Sequence, residues 1–190
     1  MTPLEINALM TSLEGRPELI ENHISFVILA GEFAYKIKKP VKFSFLDFST
    51  LQKREECCRR ELQLNRRLAS EIYLDVVPVC KNGEAFFVCE AETEIGTAVD
   101  YAVKMKRLDA NLEMDRMLSK GRINSEYLKV LARKIADFHR GAAVIRATSQ
   151  SNPSNYKADF EDILVQTPVF ARLLGPTSKG RLETVVEASA

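Results

Sequence analysis

Three side chains on one predicted strand have the types and spacing needed to bind a nucleotide. Ala34, Lys36 and Lys38 alternate with larger apolar residues, so a strand places all three on the same face of a sheet. Alanine leaves room for a flat adenine ring, and a lysine ammonium further along the strand can reach the phosphates. The strand is predicted to be the second half of a β-hairpin over residues 26–40, which turns at a Gly-Glu pair. In the alternative interpretation, these lysines are simply solvated on a strand face.

A carboxylate on the following helix is a candidate partner for these lysines. Ser49 is a good N-cap for a predicted helix over residues 50–69, which contains no glycine or proline. Glu61 falls within the apolar stripe of this helix, whose other members are Cys57, Leu64 and Leu68 and, beside them, Leu51, Cys58 and Leu62. The other charged residues fall mostly away from this stripe: Lys53, Arg54, Arg59, Arg60, Arg66 and Arg67. A buried carboxylate is costly unless a cation meets it, and the preceding strand offers Lys36 or Lys38. A strand lysine paired with a helix glutamate is the arrangement that positions ATP phosphates in kinases. In the alternative, Glu61 reaches solvent at the edge of the stripe.

Six segments that keep their order along the chain resemble one bacterial family. They are KIKKPV (36–41), FLDFSTL (45–51), RELQLNRRL (60–68), YLDVVP (73–78), DYAVKMKRL (100–108) and LARKIADFH (131–139). The family is the aminoglycoside phosphotransferase-like proteins of protein-kinase-like fold, which are often uncharacterised and sometimes fused to a P-loop kinase domain. Each segment alone is unspecific, and together they are specific.

The resemblance implies an α+β fold in two parts. Residues 1–108 are expected to form a kinase-like N-terminal lobe, which is an antiparallel sheet with one helix. Residues 109–190 are expected to form the first helices of an incomplete C-terminal lobe.

The resemblance also implies a site for ATP. Ala34 is expected beside the adenine, and Lys36, held by Glu61, at the phosphates. The adenine is expected to hydrogen-bond backbone groups near Met105 and Lys106. The turn over residues 21–25 takes the place of the loop that covers the nucleotide, and it has no glycine. Ser25 or neighbouring backbone amides are therefore expected to cover the phosphates instead of a Gly-rich cradle.

The residues that carry out phosphoryl transfer are not identified in this sequence. A kinase-like phosphotransferase needs an aspartate base in a short loop and a second aspartate that holds magnesium. His139, Arg140 and Gly141 imitate such a loop, but glycine stands where the base is needed, and His139 belongs to a predicted regular helix. The Asp-Phe-Glu segment at 159–161 is rejected with it. No catalytic and no metal-binding residue is therefore assigned. We expect this chain alone to be inactive, with magnesium bound only in an intact relative.

Two functions are predicted from these observations. The first is a partial, nucleotide-dependent small-molecule phosphotransferase that uses ATP and whose acceptor the residues do not name. The alternative is a non-catalytic binding or scaffold protein that keeps the kinase-like lobe for interaction. A third interpretation, nucleic-acid binding through the basic residues between 36 and 67, has neither a recognisable motif nor aromatic residues interleaved on one face.

Composition is that of an ordinary globular protein. The 190 residues are 46% apolar and 28% charged, and a formal net charge of +1 gives no overall attraction to nucleic acid or an anionic membrane. The four cysteines, at positions 57, 58, 80 and 89, show no CxxC or metal-ligand spacing, so they are predicted to be reduced core residues. No signal peptide and no apolar run of membrane-spanning length is found, which predicts a cytoplasmic protein.

The remaining elements follow from periodicity and turn signals. Further helices are predicted over residues 4–13, 112–120, 125–143 and 160–174, and further strands over 18–24, 73–80, 85–90 and 100–108. Phe43, Phe45 and Phe48, in the loop after the hairpin, are predicted to pack into the core, and the alternatives are that they form a lid or dock the helix. Uncovered apolar faces on the helices of 111–174 lead us to expect self-association.

Overall fold

The structure, a computed structural model, describes residues 1–43, 45–89 and 96–143. Within these ranges the helices are α1 (Pro3–Ser12), α2 (Leu51–Ala69), α3 (Met114–Ser119) and α4 (Ser125–Gly141), with a 3₁₀ turn at Ala110–Leu112. The strands are β1 (Glu18–Glu21), β2 (Ser25–Ala30), β3 (Phe33–Lys38), β4 (Lys42–Phe43), β5 (Leu46–Asp47), β6 (Tyr73–Asn82), β7 (Ala85–Val88) and β8 (Thr97–Lys106). The predictions for residues 159–161 and 160–174 lie outside the described residues.

Six strands form one antiparallel sheet in the order β1-β2-β3-β8-β6-β7. The predicted hairpin is confirmed, because β2 and β3 pair from Ser25 opposite Lys38 to Ala30 opposite Phe33. Gly31 turns the hairpin with a φ of 53°, a left-handed conformation that glycine adopts without steric cost. The predicted α+β class, with an antiparallel sheet and a few helices, is therefore confirmed at this level.

Successive side chains of a strand point to opposite sides, so the sheet has two faces. Among the described helices, α1 packs on one face and α2 on the other. Helix α1 packs on the first face and closes the main apolar core, which contains Ile6, Leu9, Phe26, Ile28, Ala30, Tyr35, Ile37, Val77, Val79, Phe86 and Ala102. Helix α2 packs on the second face, where Cys58 lies against Val76 and Val103. The second face carries Lys36 and Lys38, so α2 determines the surroundings of both lysines.

Helix α2 turns a different set of residues toward the sheet than the sequence predicts. It begins after Thr50, whose side chain caps it, and not after Ser49. The side chains that are buried or half-buried include Arg54, Cys58, Glu61 and Leu62. Leu64 and Leu68, which were predicted to belong to the buried stripe, are exposed. The prediction that Arg54 falls away from the buried stripe is therefore also wrong, because Arg54 is buried.

A buried ion pair explains the position of that arginine. Arg54 Nε donates to Asp100 Oδ1 over 2.8 Å, and Arg54 Nη1 donates to the carbonyl of Phe48 over 3.1 Å. Asp100 is fully buried, and its other carboxylate oxygen accepts a hydrogen bond from the Met1 amino group over 3.0 Å. Because each buried charge meets an opposite charge, α2 is held to β8 by ionic contact as well as by packing.

The cysteine prediction is wrong for two of the four residues. Cys80 on β6 and Cys89, just after β7, form a disulfide whose Cα atoms are 6.0 Å apart. The β6–β7 hairpin brings them together, because Cys80 lies opposite Phe87 and is the diagonal neighbour of Cys89 across the two strands. Cys57 and Cys58 are free, as predicted.

The helices after the sheet lie close to their predicted positions. The 3₁₀ turn and α3 replace the single helix predicted over 112–120, and α4 ends two residues before the predicted bound at 143. His139 belongs to this regular helix, as predicted, and not to a loop. Leu128, Leu131 and Ile135 of α4 are exposed.

No helix in the described ranges is both long enough and apolar enough to cross a membrane.

Strands β4 and β5 form a short two-stranded hairpin of their own. Within it the rings of Phe43 and Phe45 are stacked with their centroids 5.8 Å apart, and Phe45 is exposed. Phe48, which follows the hairpin, is buried. The prediction of core packing is therefore confirmed for Phe48 and wrong for Phe45.

Two arginines of α2 allow a matched test of the buried ion pair. Arg54→Ala leaves Asp100 buried with its arginine removed, and we expect the free energy of unfolding to fall by about 3 kcal/mol. Arg59→Ala removes an arginine that pairs with Glu55 on the solvent side of the same helix, and we expect a loss of about 0.5 kcal/mol or less. Urea unfolding of both variants measures the difference, and equal losses would contradict the role given to Arg54.

Candidate functional site

The candidate site begins with one row of side chains that crosses four strands. Leu29, Ala34, Met105 and Tyr73 lie opposite one another in successive strand pairs, on β2, β3, β8 and β6. Residues directly opposite in antiparallel strands point to the same side of the sheet, so the row lies on the face that α2 covers in part. Ala34 is the smallest member and leaves a depression in the middle of the row.

A cavity of about 680 Å³ opens over this row. Its walls include the segment that follows β8 and the start of α3, and its lining residues are Glu18, Ile20, Leu29, Ala34, Ile72, Tyr73, Met105, Lys106, Arg107, Leu108, Asp109, Ala110, Glu113 and Arg116. The part over the sheet is apolar and the rim is charged, with an ion pair of 2.8 Å between Arg107 and Glu18 at one side. A flat apolar ligand with polar substituents matches such a cavity.

Glu61 binds both candidate lysines. Lys36 Nζ donates to Glu61 Oε1 over 2.8 Å, and Lys38 Nζ donates to Glu61 Oε2 over 2.6 Å. The sequence left open which lysine meets Glu61, and the structure gives one to each carboxylate oxygen. The alternative that Glu61 reaches solvent is wrong, because only 15% of its side chain is exposed.

The cluster of Lys36, Lys38 and Glu61 contains two basic groups and one acidic group. Burial by itself raises the pKa of the Glu61 carboxyl, but hydrogen bonds from Lys36 and Lys38 outweigh it and hold the pKa below its ordinary value of 4.5. Burial, with a smaller contribution from the charge of Glu61, raises the pKa of the nearby Tyr73 hydroxyl. With Glu61 ionised, the two ammonium groups leave a local charge of +1 on the face of the sheet that carries Ala34.

A free thiol lies close to this cluster without being a nucleophile. Cys58 is fully buried on α2, and its thiol donates to the carbonyl of Tyr101 over 3.8 Å. Burial raises the pKa of this thiol to about 12, so it stays protonated at neutral pH. Its contribution is therefore to the packing of α2 on the sheet.

Ser25 lies near the cluster but its side chain is already engaged. It is opposite Lys38 in the β2–β3 pair, is 1% exposed, and donates its hydroxyl to Asn22 Oδ1 over 3.0 Å. Asn22 also accepts from the backbone amides of Ile24 and Ser25 and so closes the turn between β1 and β2. The hydroxyl of Ser25 therefore shapes this turn, and only a rearrangement of the turn would free it for a phosphate.

Two backbone amides in the segment predicted to contact the adenine are already engaged within the protein. The amide of Lys106 donates to the carbonyl of Ile72 over 2.9 Å, and the amide of Arg107 donates to the carbonyl of Glu32 over 2.8 Å. The amide of Leu108, which also lines the cavity, donates to none of the described residues. The amide without a described acceptor is therefore that of Leu108, two residues beyond Lys106 and three beyond Met105.

Sequence reasoning named Ala34 and Met105 of the row, together with Lys36 and Glu61 of the cluster, but it missed Leu29 and Tyr73. Leu29 and Tyr73 belong to the row only because of the register between paired strands, and no local sequence pattern predicts that register. Among the described residues, no group of three or more His, Cys, Asp or Glu side chains is arranged to hold a metal ion.

Comparison with known proteins gives relatives without an assigned activity. Over 122 aligned residues, this chain shares 33% sequence identity with an uncharacterised protein of Mycobacterium bovis. It shares the same identity with two uncharacterised proteins of Mycobacterium tuberculosis, from strains CDC 1551 and H37Rv. The match covers 64% of this chain and 22% of each relative, so the chain spans about a fifth of the length of these relatives. No protein-family profile and no solved structure matches the chain.

The pH dependence of stability tests the ionised state of Glu61. Its pKa is lower in the folded state than in the unfolded chain, so it stabilises the fold above about pH 4.5, and this contribution is lost as the pH falls through the folded pKa. We therefore expect Glu61→Gln to be less stable than wild type at pH 7 and to approach wild type in acid. Urea unfolding between pH 3 and pH 7 measures the gap.

Glu56, exposed on the same helix, supplies the control for this experiment. Glu56→Gln is expected to follow the wild-type profile at each pH. A gap for Glu61→Gln that stays constant down to pH 3 would mean that its carboxylate is not the stabilising group.

Proposed function

We propose that the described residues contain the nucleotide-binding lobe of a small-molecule phosphotransferase with a protein-kinase-like fold, of the aminoglycoside phosphotransferase-like kind. The observation that carries the proposal is the contact of Lys36 on β3 with Glu61 on α2, over 2.8 Å. A strand lysine held by a helix glutamate is how kinases hold a cation at the ATP phosphates. The sequence resemblance supports the same assignment independently of the geometry.

The relative positions of the cation and the cavity support a nucleotide over a simple anion. Ala34 and Lys36 are two residues apart on one strand, which separates their Cα atoms by about 7 Å along β3. An adenine over Ala34 therefore has Lys36 on the side toward which its phosphates extend. Leu108, whose amide has no acceptor among the described residues, lines the same cavity as Ala34.

The chemistry that follows from this proposal is direct phosphoryl transfer. A hydroxyl oxygen of the acceptor bonds to the γ-phosphorus of ATP as the bond from that phosphorus to the bridging oxygen breaks, and ADP leaves. Lys36 stabilises phosphate charge, and Glu61 holds Lys36 in position before the phosphates bind. The base that takes the hydroxyl proton and the ligands of magnesium are not assigned to any described residue, and the acceptor is unidentified.

A second candidate is a non-catalytic binding or scaffold protein that keeps this lobe. The observation that favours it is the row of exposed apolar side chains on α4, formed by Leu128, Leu131 and Ile135. Such a row is typical of a helix that packs against a further surface. Nucleotide binding separates the two candidates, because only the first requires it.

Binding of ATP to the full chain tests the proposal. We expect wild type to bind ATP with magnesium in calorimetry, and Lys36→Ala to bind at least about tenfold more weakly because a charge-assisted contact is lost. Lys129→Ala, at an exposed position of α4, is the matched control and should bind like wild type. A wild-type chain that binds no ATP would favour the scaffold function.

A substitution in the cavity tests the location of the base. Ala34→Phe fills the middle of the row and should abolish ATP binding by excluding the adenine, while inorganic tripolyphosphate still binds at the lysines. Circular dichroism checks that the variant is folded. Loss of both ligands by a folded variant, or of neither, would mean that the adenine does not lie over Ala34.

A further inference from the structure

The two lysines of the cluster differ in their surroundings. Lys38 is almost entirely enclosed, with 7% of its side chain exposed, and its ammonium lies 4.9 Å from the centre of the buried Phe48 ring. Lys36 is 28% exposed and lies two residues along β3 from Ala34, which lines the cavity, whereas Lys38 lies four residues from Ala34. An incoming anion therefore reaches Lys36, while Lys38 stays behind Glu61.

The cluster contains two lysines and one glutamate, so Glu61 keeps a counter-ion when one lysine moves away. Glu61 has two oxygens and binds one lysine with each. If Lys36 turns to an anion, Glu61 still has Lys38 as a counter-ion, so no unpaired buried carboxylate results. With Lys38 absent, the same movement of Lys36 leaves Glu61 buried without a cation, which opposes the binding of the anion.

From this geometry we propose that the two lysines have separate roles, with Lys36 binding the phosphates and Lys38 acting as a positioning residue that neutralises Glu61 when Lys36 leaves it. The inference rests on the proposed nucleotide site. It adds a role for Lys38, a second lysine that a site with one lysine–glutamate pair does not have. Lys38 holds Glu61, and through it α2, in the same place with and without the ligand.

Anion affinity of methionine variants tests the division of roles. Methionine preserves much of the length and apolar contact of the lysine stem but removes its charge. With tripolyphosphate as the probe, we expect Lys36→Met in the full chain to lose at least about tenfold in affinity through its missing contact. Lys38→Met should also bind more weakly, by several-fold, although Lys36 is intact, and Lys129→Met should bind like wild type.

The decisive variant is the double substitution Lys38→Met/Glu61→Gln. Once Glu61 is neutral, Lys36 is no longer needed as its counter-ion, so the affinity lost in Lys38→Met should return. A role of Lys38 in general stability alone would give no such recovery. Should Lys38→Met not fold, the comparison of Glu61→Gln with the double variant carries the test, and equal affinities are expected.

Three results would overturn the inference: wild-type affinity in Lys36→Met, a lower affinity of the double variant than of Glu61→Gln, or no tripolyphosphate binding by wild type. Parallel titrations with ATP keep the two proposals apart. A chain that binds tripolyphosphate with the expected pattern but does not bind ATP would contradict the nucleotide site and support the division of roles.

Discussion

The contact of Glu61 with two lysines is the constraint on which the described site depends. A carboxylate that is mostly buried requires cations close by, and only the second face of the sheet supplies them. The contact forms only if β3 presents Lys36 and Lys38 on that face and α2 lies directly over it. It therefore ties the register of the hairpin, the rotation of α2 and the local charge to one another.

A second ionic contact fixes both the rotation and the position along its axis of α2 on the sheet. Arg54 and Glu61 are seven residues apart, about two helical turns, so both lie on the side of α2 that meets the sheet. Arg54 contacts Asp100 of β8 and Glu61 contacts the lysines of β3. Two such anchors on neighbouring strands oppose both rotation and sliding of the helix, whereas a purely apolar contact tolerates small shifts.

The success of the sequence predictions followed the range of the interactions involved. Alternation in β3 and the glycine of its turn are local properties, and they predicted the hairpin and the shared face of Ala34, Lys36 and Lys38. The pairing of Cys80 with Cys89 was missed because it depends on the register between β6 and β7. The burial of Arg54 was missed because its charge was weighed without its partner Asp100, which is 46 residues away.

The amino-acid sequence by itself determined that Ala34, Lys36 and Lys38 share one strand face and that Glu61 lies in the apolar stripe of the next helix, because alternation and helical periodicity are local properties of the sequence. Tertiary structure alone decided that both lysines bind Glu61, that Leu29 and Tyr73 join Ala34 in one row, and that Lys106 and Arg107 donate their amides inside the protein. Those arrangements are fixed by strand pairing and helix packing between distant residues. Each depends on distances that no stretch of sequence contains.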